Sequence, residues 1–109
     1  MRFSNKYELN TKILKVAIPD VIPEKTAGFE DHFEVAQEII SSMNGWLGHQ
    51  LQQCLEVPNR YILLVRWVKL EDHTIGSRQS PTYQKWKKLL HDFYAPFAVV
   101  EHSTTKYEK

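Results

Sequence analysis

Two hydrophobic rhythms alternate along the chain. Over residues 12–18 (KILKVAI) the period is two: Leu14, Val16 and Ile18 share one side, and Ile13, Lys15 and Ala17 share the other. That pattern predicts a strand with both faces at least partly covered. Pro19 and Pro23 close it, because proline cannot continue a hydrogen-bonded ladder.

From about Glu24 to Met43 the period lengthens to that of a helix. Phe29, Phe33, Ala36 and Ile40 form a stripe, which Val35 and Ile39 widen, while Glu30, Asp31, Glu34 and Glu38 fall mainly off it. NGWLG (44–48) ends the helix, with Asn44 or Gly45 suited to a left-handed conformation. A hairpin follows, with arms at His49–Leu55 and Tyr61–Val68 and a turn at EVPNR (56–60). In the first arm His49, Leu51, Gln53 and Leu55 share a side. In the second, Tyr61, Leu63, Val65 and Trp67 oppose Ile62, Leu64, Arg66 and Val68.

LEDHTIGS (70–77) reads as a short helical turn capped by Asp72, and Ser80 caps a longer helix with Pro81 at its first position. Tyr83, Trp86, Leu89, Leu90 and Phe93 make the apolar stripe of that helix, and Lys85, Lys87 and Lys88 its solvated side. Pro96 ends it, and a last strand runs over about 98–105. Residues 1–9 and 106–109 are expected to be loose tails of a single domain.

The predicted order is β-α-β-β-α-β, which specifies an α+β, ferredoxin-like sandwich: an antiparallel sheet with two helices on one face. Either face of the first strand, turned away from the helices, would expose apolar groups. Leu64 and Val100 are further candidates for that outer surface. A second copy of the chain would cover it, so a homodimer with sheets face to face is expected.

Composition narrows the partners. The chain has 109 residues, 42% hydrophobic and 25% charged, with a net charge of +1. A nearly neutral balance gives no reason to expect nucleic acid or an acidic membrane surface. No apolar run approaches the ~20 residues of a membrane span, and the start MRFSNKYELN has no signal-like apolar core. The single cysteine, Cys54, excludes an internal disulfide and a cysteine metal cluster. A cytoplasmic setting is therefore expected.

The run NGWLGHQL, the strand ending Arg66-Trp67, and Ser80-Pro81-Thr82-Tyr83 resemble the antibiotic biosynthesis monooxygenase domain, over about Lys12 to His102. The resemblance implies a dimeric α/β barrel with a pocket between sheet and helices. It also implies, for some members, oxidation of quinols or anthrones by O₂ without metal or flavin. Others degrade haem, isomerise small metabolites or have no assigned role. Trp67 matches the family's strand-end tryptophan, and Ser80 and Pro81 its helix start. Quinol-oxidising members often carry a histidine three residues before that serine; here the position is Ser77, and His73 lies one turn earlier. Haem-degrading members carry a ligating histidine where this chain has Trp86 and Lys87, with His91 about a turn later, which disfavours haem.

The candidate chemistry centres on HTIGSRQSPTYQKW (73–86). His73 titrates near neutral pH and can act as a base. Arg78 can hold an anionic oxygen, or equally cap the turn or pair with Glu71 or Asp72. Trp67 and Trp86 can wall a flat ligand, although core packing alone would use them too. Tyr83, Tyr94, His91 and His102 complete the substrate-binding candidates. The five histidines show no HxH or HxxxH pair, so no metal site is expected, and no glycine-rich motif marks a flavin, nicotinamide or phosphate site. No cofactor is therefore expected. Two functions stay open: a cofactor-free monooxygenase acting on a small electron-rich aromatic, and a non-catalytic dimeric domain that binds a small apolar or aromatic ligand.

Overall fold

The computed structural model describes residues 13–69, 80–94 and 98–109. The elements are β1 (Ile13–Ile18), α1 (Thr26–Ser41), β2 (Trp46–Gln53), β3 (Tyr61–Trp67), α2 (Pro81–Leu90) and β4 (Val99–Ser103). Short 3₁₀ turns lie at Pro23–Lys25 and His91–Phe93. The strands form one antiparallel sheet in the order β2-β3-β1-β4. With two crossing helices, this is the α+β ferredoxin-like fold that the periodicities specify.

The strand β3 follows its alternation closely. Tyr61, Leu63, Val65 and Trp67 are all buried, and they meet Phe29, Phe33, Ala36 and Ile40 of α1 in the core. Trp86 and Leu90 of α2 join the same cluster. Ser80 caps α2 by accepting a hydrogen bond from the Tyr83 N–H at 3.1 Å, with Pro81 at the first helical position. Between α1 and β2 the chain turns at Gly45, whose φ of 86° places it in the left-handed region; Asn44 does not adopt it. The Gly45 carbonyl accepts from the Val68 N–H, tying this turn to the end of β3.

Pairing of β2 with β3 shifts at Leu47: Trp46 opposes Trp67, but Gly48 opposes Arg66. This is a β-bulge, with one extra residue on β2. Trp46 is consequently a strand residue packed against the core rather than part of the helix–strand joint.

Register decides which side of β1 faces the helices. Lys15 opposes Val65 and Ala17 opposes Leu63, so the Ile13/Lys15/Ala17 side looks inward. The more apolar Leu14/Val16/Ile18 side looks outward. Val100 opposes Ala17 across the β1–β4 pair and is likewise inward, so it does not belong to the outer surface. Val99, 58% exposed, occupies the outer side of β4, and Leu64 lies on that same outer sheet face as expected. Two other expectations fail. Val35 is 60% exposed, because it sits beside rather than on the buried stripe of α1. Leu55 is 91% exposed, because β2 ends at Gln53, before it.

Candidate functional site

A partly open cavity of about 90 Å³ lies between the inward sheet face and the two helices. Its sheet side is built by Lys15 and Ala17 of β1, Leu51 of β2, Leu63 of β3 and Val100 of β4. Phe29 and Phe33 of α1 wall one side. Tyr83, Trp86 and Leu90 of α2, with Tyr94 just after it, wall the other. The small side chain of Ala17 leaves room where larger residues flank it. Trp86 stands edge-on to Phe33, with ring centroids 5.8 Å apart.

Backbone contacts fix Tyr94. The segment after β1 makes an isolated bridge from Val21 to Tyr94, and the Ile22 N–H donates to the Phe93 carbonyl at 2.8 Å. Burial pushes the Tyr94 phenol above its ordinary range, and the nearby Tyr83 phenol adds to the rise. Both effects disfavour the phenolate, so Tyr94 is a neutral hydrogen-bonding group at physiological pH.

The cavity brings together three of the sequence candidates, Tyr83, Trp86 and Tyr94. Trp67, His91 and His102 stand elsewhere. Trp67 is fully buried in the core, outside the cavity wall. His91 is exposed, with Nδ1 bonded to the Lys87 carbonyl at 3.0 Å and Nε2 3.2 Å from Asp92. His102 opposes Lys15 on the inward side of β4 but does not line the cavity. His73 and Arg78 lie outside the described residues. Among the described residues no group of three His, Cys, Asp or Glu side chains is placed to hold a metal ion, and no helix is long and apolar enough to cross a membrane.

Two inward polar residues stand outside the catalytic and substrate-binding candidates drawn from the sequence. His49 of β2 packs edge-on to Phe33 and bonds through Nε2 to Gln37 Oε1 at 2.9 Å. Burial lowers its pKa, and the Glu38 carboxylate opposes that shift. Lys15 is only 6% exposed and stands in the cavity wall itself. The signal for Lys15 was present, since a lysine interrupts one side of an otherwise apolar strand. The other side was simply more hydrophobic and so the more natural candidate for the core.

Comparison with known proteins agrees with this geometry. The antibiotic biosynthesis monooxygenase family model matches residues 14–89. The uncharacterized protein YczJ of Bacillus subtilis (strain 168) is 55% identical over 74 residues, covering 68% of this chain and 78% of its own. A Bordetella bronchiseptica protein, whose name places it among the antibiotic biosynthesis monooxygenases, superposes with a TM-score of 0.85 at 30% identity. That match covers 89% of this chain and 99% of the other. SnoaB, a cofactor-independent oxygenase from Streptomyces nogalater, shares the fold with a TM-score of 0.68 at 17% identity, over 91% and 95% of the two chains. With the sheet order, the helix start at Ser80-Pro81 and the match across residues 14–89, the chain belongs to the antibiotic biosynthesis monooxygenase family.

Proposed function

We propose that the protein is a cofactor-independent monooxygenase that oxidises a small electron-rich aromatic, of quinol type, with O₂. The observation that carries this reading is the cavity walled by Trp86, Tyr83, Tyr94, Phe29 and Phe33 in a chain of this family. SnoaB, of the same fold, is a cofactor-independent oxygenase. A hydroquinone that loses a proton can give an electron to O₂. Recombination and loss of water then convert one hydroquinone and one O₂ into one hydroxyquinone and one water. Such chemistry needs a dry aromatic site, a base and a cation near the developing anion. His73 is the base in this reading and Arg78 the anion holder. Both belong to the segment leading into α2, whose first turn supplies Tyr83.

Size favours one ring over three. A cavity of ~150 Å³ takes a benzene ring, and this one is about 90 Å³ with an open side. A single-ring quinol would have to keep one edge in the mouth, whereas a fused anthrone would require larger displacement of the walls. The acting form is a homodimer in this reading, because Leu14, Val16, Ile18, Ile62 and Leu64 remain partly exposed on the outer sheet face. The lone Cys54 suits a reducing, cytoplasmic setting.

Aerobic incubation with a panel of hydroquinones and anthrones tests the reaction, following oxygen uptake and product mass together. Uptake with a single-ring quinol is expected. His73→Ala and Arg78→Ala should each lower turnover by roughly a hundredfold, the usual effect of losing one well-placed catalytic group. No uptake across the panel would leave the second reading, a dimeric domain that binds a small ligand without turning it over. The small volume of a space lined by both Trp86 and Tyr94 favours that second reading.

A further inference from the structure

We propose that Lys15 is the anion-recognising group of the cavity, and that the ligand is a small aromatic compound carrying an anionic oxygen, carboxylate or phenolate. The inference rests on the reading of this cavity as a ligand site, but not on oxygen chemistry.

Three observations support it. The first is burial. At 6% exposure Lys15 does not carry its ammonium out to water, as a lysine on an exposed strand face would. The second is the character of the surroundings. Among the described lining residues Lys15 is the one charged side chain. The remaining polar side-chain groups are the phenols of Tyr83 and Tyr94 and the indole N–H of Trp86, and everything else is apolar. From α1 the cavity receives Phe29 and Phe33, and from β4 it receives Val100, with His102 opposite Lys15 just beyond the wall. A positive charge in such a low-dielectric recess acts strongly on whatever enters. The third is placement. Lys15 lies on β1, which is paired on both sides, to Val65 of β3 and to His102 of β4. Its backbone is therefore held by the middle of the sheet, and groups on such elements are positioned more accurately than groups on loops.

A purely structural role explains this residue less well. A buried ion pair is often no more stabilising than apolar side chains of similar volume in place of both its members. Methionine or leucine would fill the site between Val65 and His102. An ammonium carries three N–H donors, so a contact within the protein is compatible with a further contact to a ligand. Tyr83 and Tyr94, as neutral phenols, would add hydrogen bonds to the same anionic oxygen or to a ring hydroxyl. The aromatic walls would take the ring face.

Binding measurements on the full-length protein test this, using matched probes. For the carboxylate, 2,5-dihydroxybenzoate is compared with its neutral analogue 2,5-dihydroxybenzamide by calorimetry. For the phenolate, 4-nitrophenol is titrated with pH in the presence and absence of protein, and its ionisation is followed by absorbance. The wild type is expected either to prefer the acid over the amide by about tenfold or more, the scale of one charge-assisted hydrogen bond, or to lower the pH at which bound nitrophenol ionises. Lys15→Met should abolish whichever effect is present. Lys15→Arg should restore part of it. If the variant does not fold, the wild-type acid-to-amide ratio and the nitrophenol shift still decide the matter.

A wild-type ratio near one together with an unshifted nitrophenol overturns the proposal. So does retention of either effect in folded Lys15→Met, and so does a lack of measurable binding by any probe. Absence of oxygen uptake would remove the monooxygenase reading and leave the Lys15 result standing.

Discussion

Trp46 and His49 are three residues apart in one strand, yet their side chains meet: the indole Nε1 donates to His49 Nδ1 at 3.0 Å. In a regular strand, residues three apart point to opposite faces. The extra residue at Leu47 cancels half a period and puts both on the helix side. The bond fixes the tautomer. With Nδ1 accepting, the neutral ring carries its proton on Nε2 and donates to Gln37 Oε1.

Acid should therefore weaken the fold through His49. Protonation places an N–H on Nδ1, facing the Trp46 donor. Burial already holds the pKa below the ordinary histidine value of 6.5. The unfolded chain then takes up protons first as pH falls. The contribution of His49 is complete above the unfolded value and is lost as pH drops through it towards the folded one. The unfolding temperature should fall between pH 7.5 and pH 5, and His49→Gln should flatten that slope. An unchanged slope in the variant would assign the pH effect to other groups.

Tyr61 gives the opposite dependence at high pH. Its hydroxyl donates to Glu30 Oε2 at 2.5 Å, and burial, with Glu30 adding to it, pushes the phenol up to about 12. The neutral form is favoured in the fold, so its contribution is present below the unfolded value near 10 and is lost as pH rises through the folded one. Absorbance titration of the native protein should show Tyr61 among the tyrosines that ionise late, and Tyr61→Phe should remove its share. The same change should cost about 1 kcal/mol at neutral pH, the net value of a typical internal hydrogen bond.

Ser80→Ala should cost about 1 kcal/mol, because the Tyr83 N–H loses its side-chain acceptor. Since Tyr83 lines the cavity, ligand affinity should weaken as well. Ser80→Asp, which keeps an acceptor at the cap, should retain both stability and binding. Denaturant midpoints and a binding titration on the same samples check this.

Leu64→Asp should yield a folded monomer, because the side chain lies on the outer sheet face that the dimer reading covers. Val100→Asp is the informative contrast: it points into the cavity and should impair ligand binding or folding instead. Sedimentation of the wild type as a monomer at micromolar concentration would remove the dimer.

The strands and helices were legible wherever one face is buried and the other wet. The alternation of β3 and the Phe29/Phe33/Ala36/Ile40 stripe needed no tertiary information. The first strand was different. Both its sides carry apolar groups, so periodicity alone left its orientation open, and only the pairing of Lys15 with Val65 decides it. That one register places a lysine in the cavity and turns Val100 inward. The bulge at Leu47 was equally invisible, since an inserted residue changes a face without changing composition. Trp86, Tyr83 and Tyr94 were legible as a potential wall because an aromatic stripe at helical spacing must meet a covered surface. Trp67 obeyed the same rule and met a filled one.

The bridge from Val21 to Tyr94 has a mechanical corollary. Together with the bond from Ile22 to Phe93, it anchors the chain just beyond the last turn of α2. Any swing of the helix would pivot on this end. A ten-residue helix is about 15 Å long, so a swing of about 10° around the anchored end carries its first turn outward by roughly 2–3 Å. Tyr83 would travel furthest, Trp86 less, and Tyr94 hardly at all. A flat ring admitted by such a swing would enter edge-first beside Tyr83 and come to rest against a phenol that had not moved.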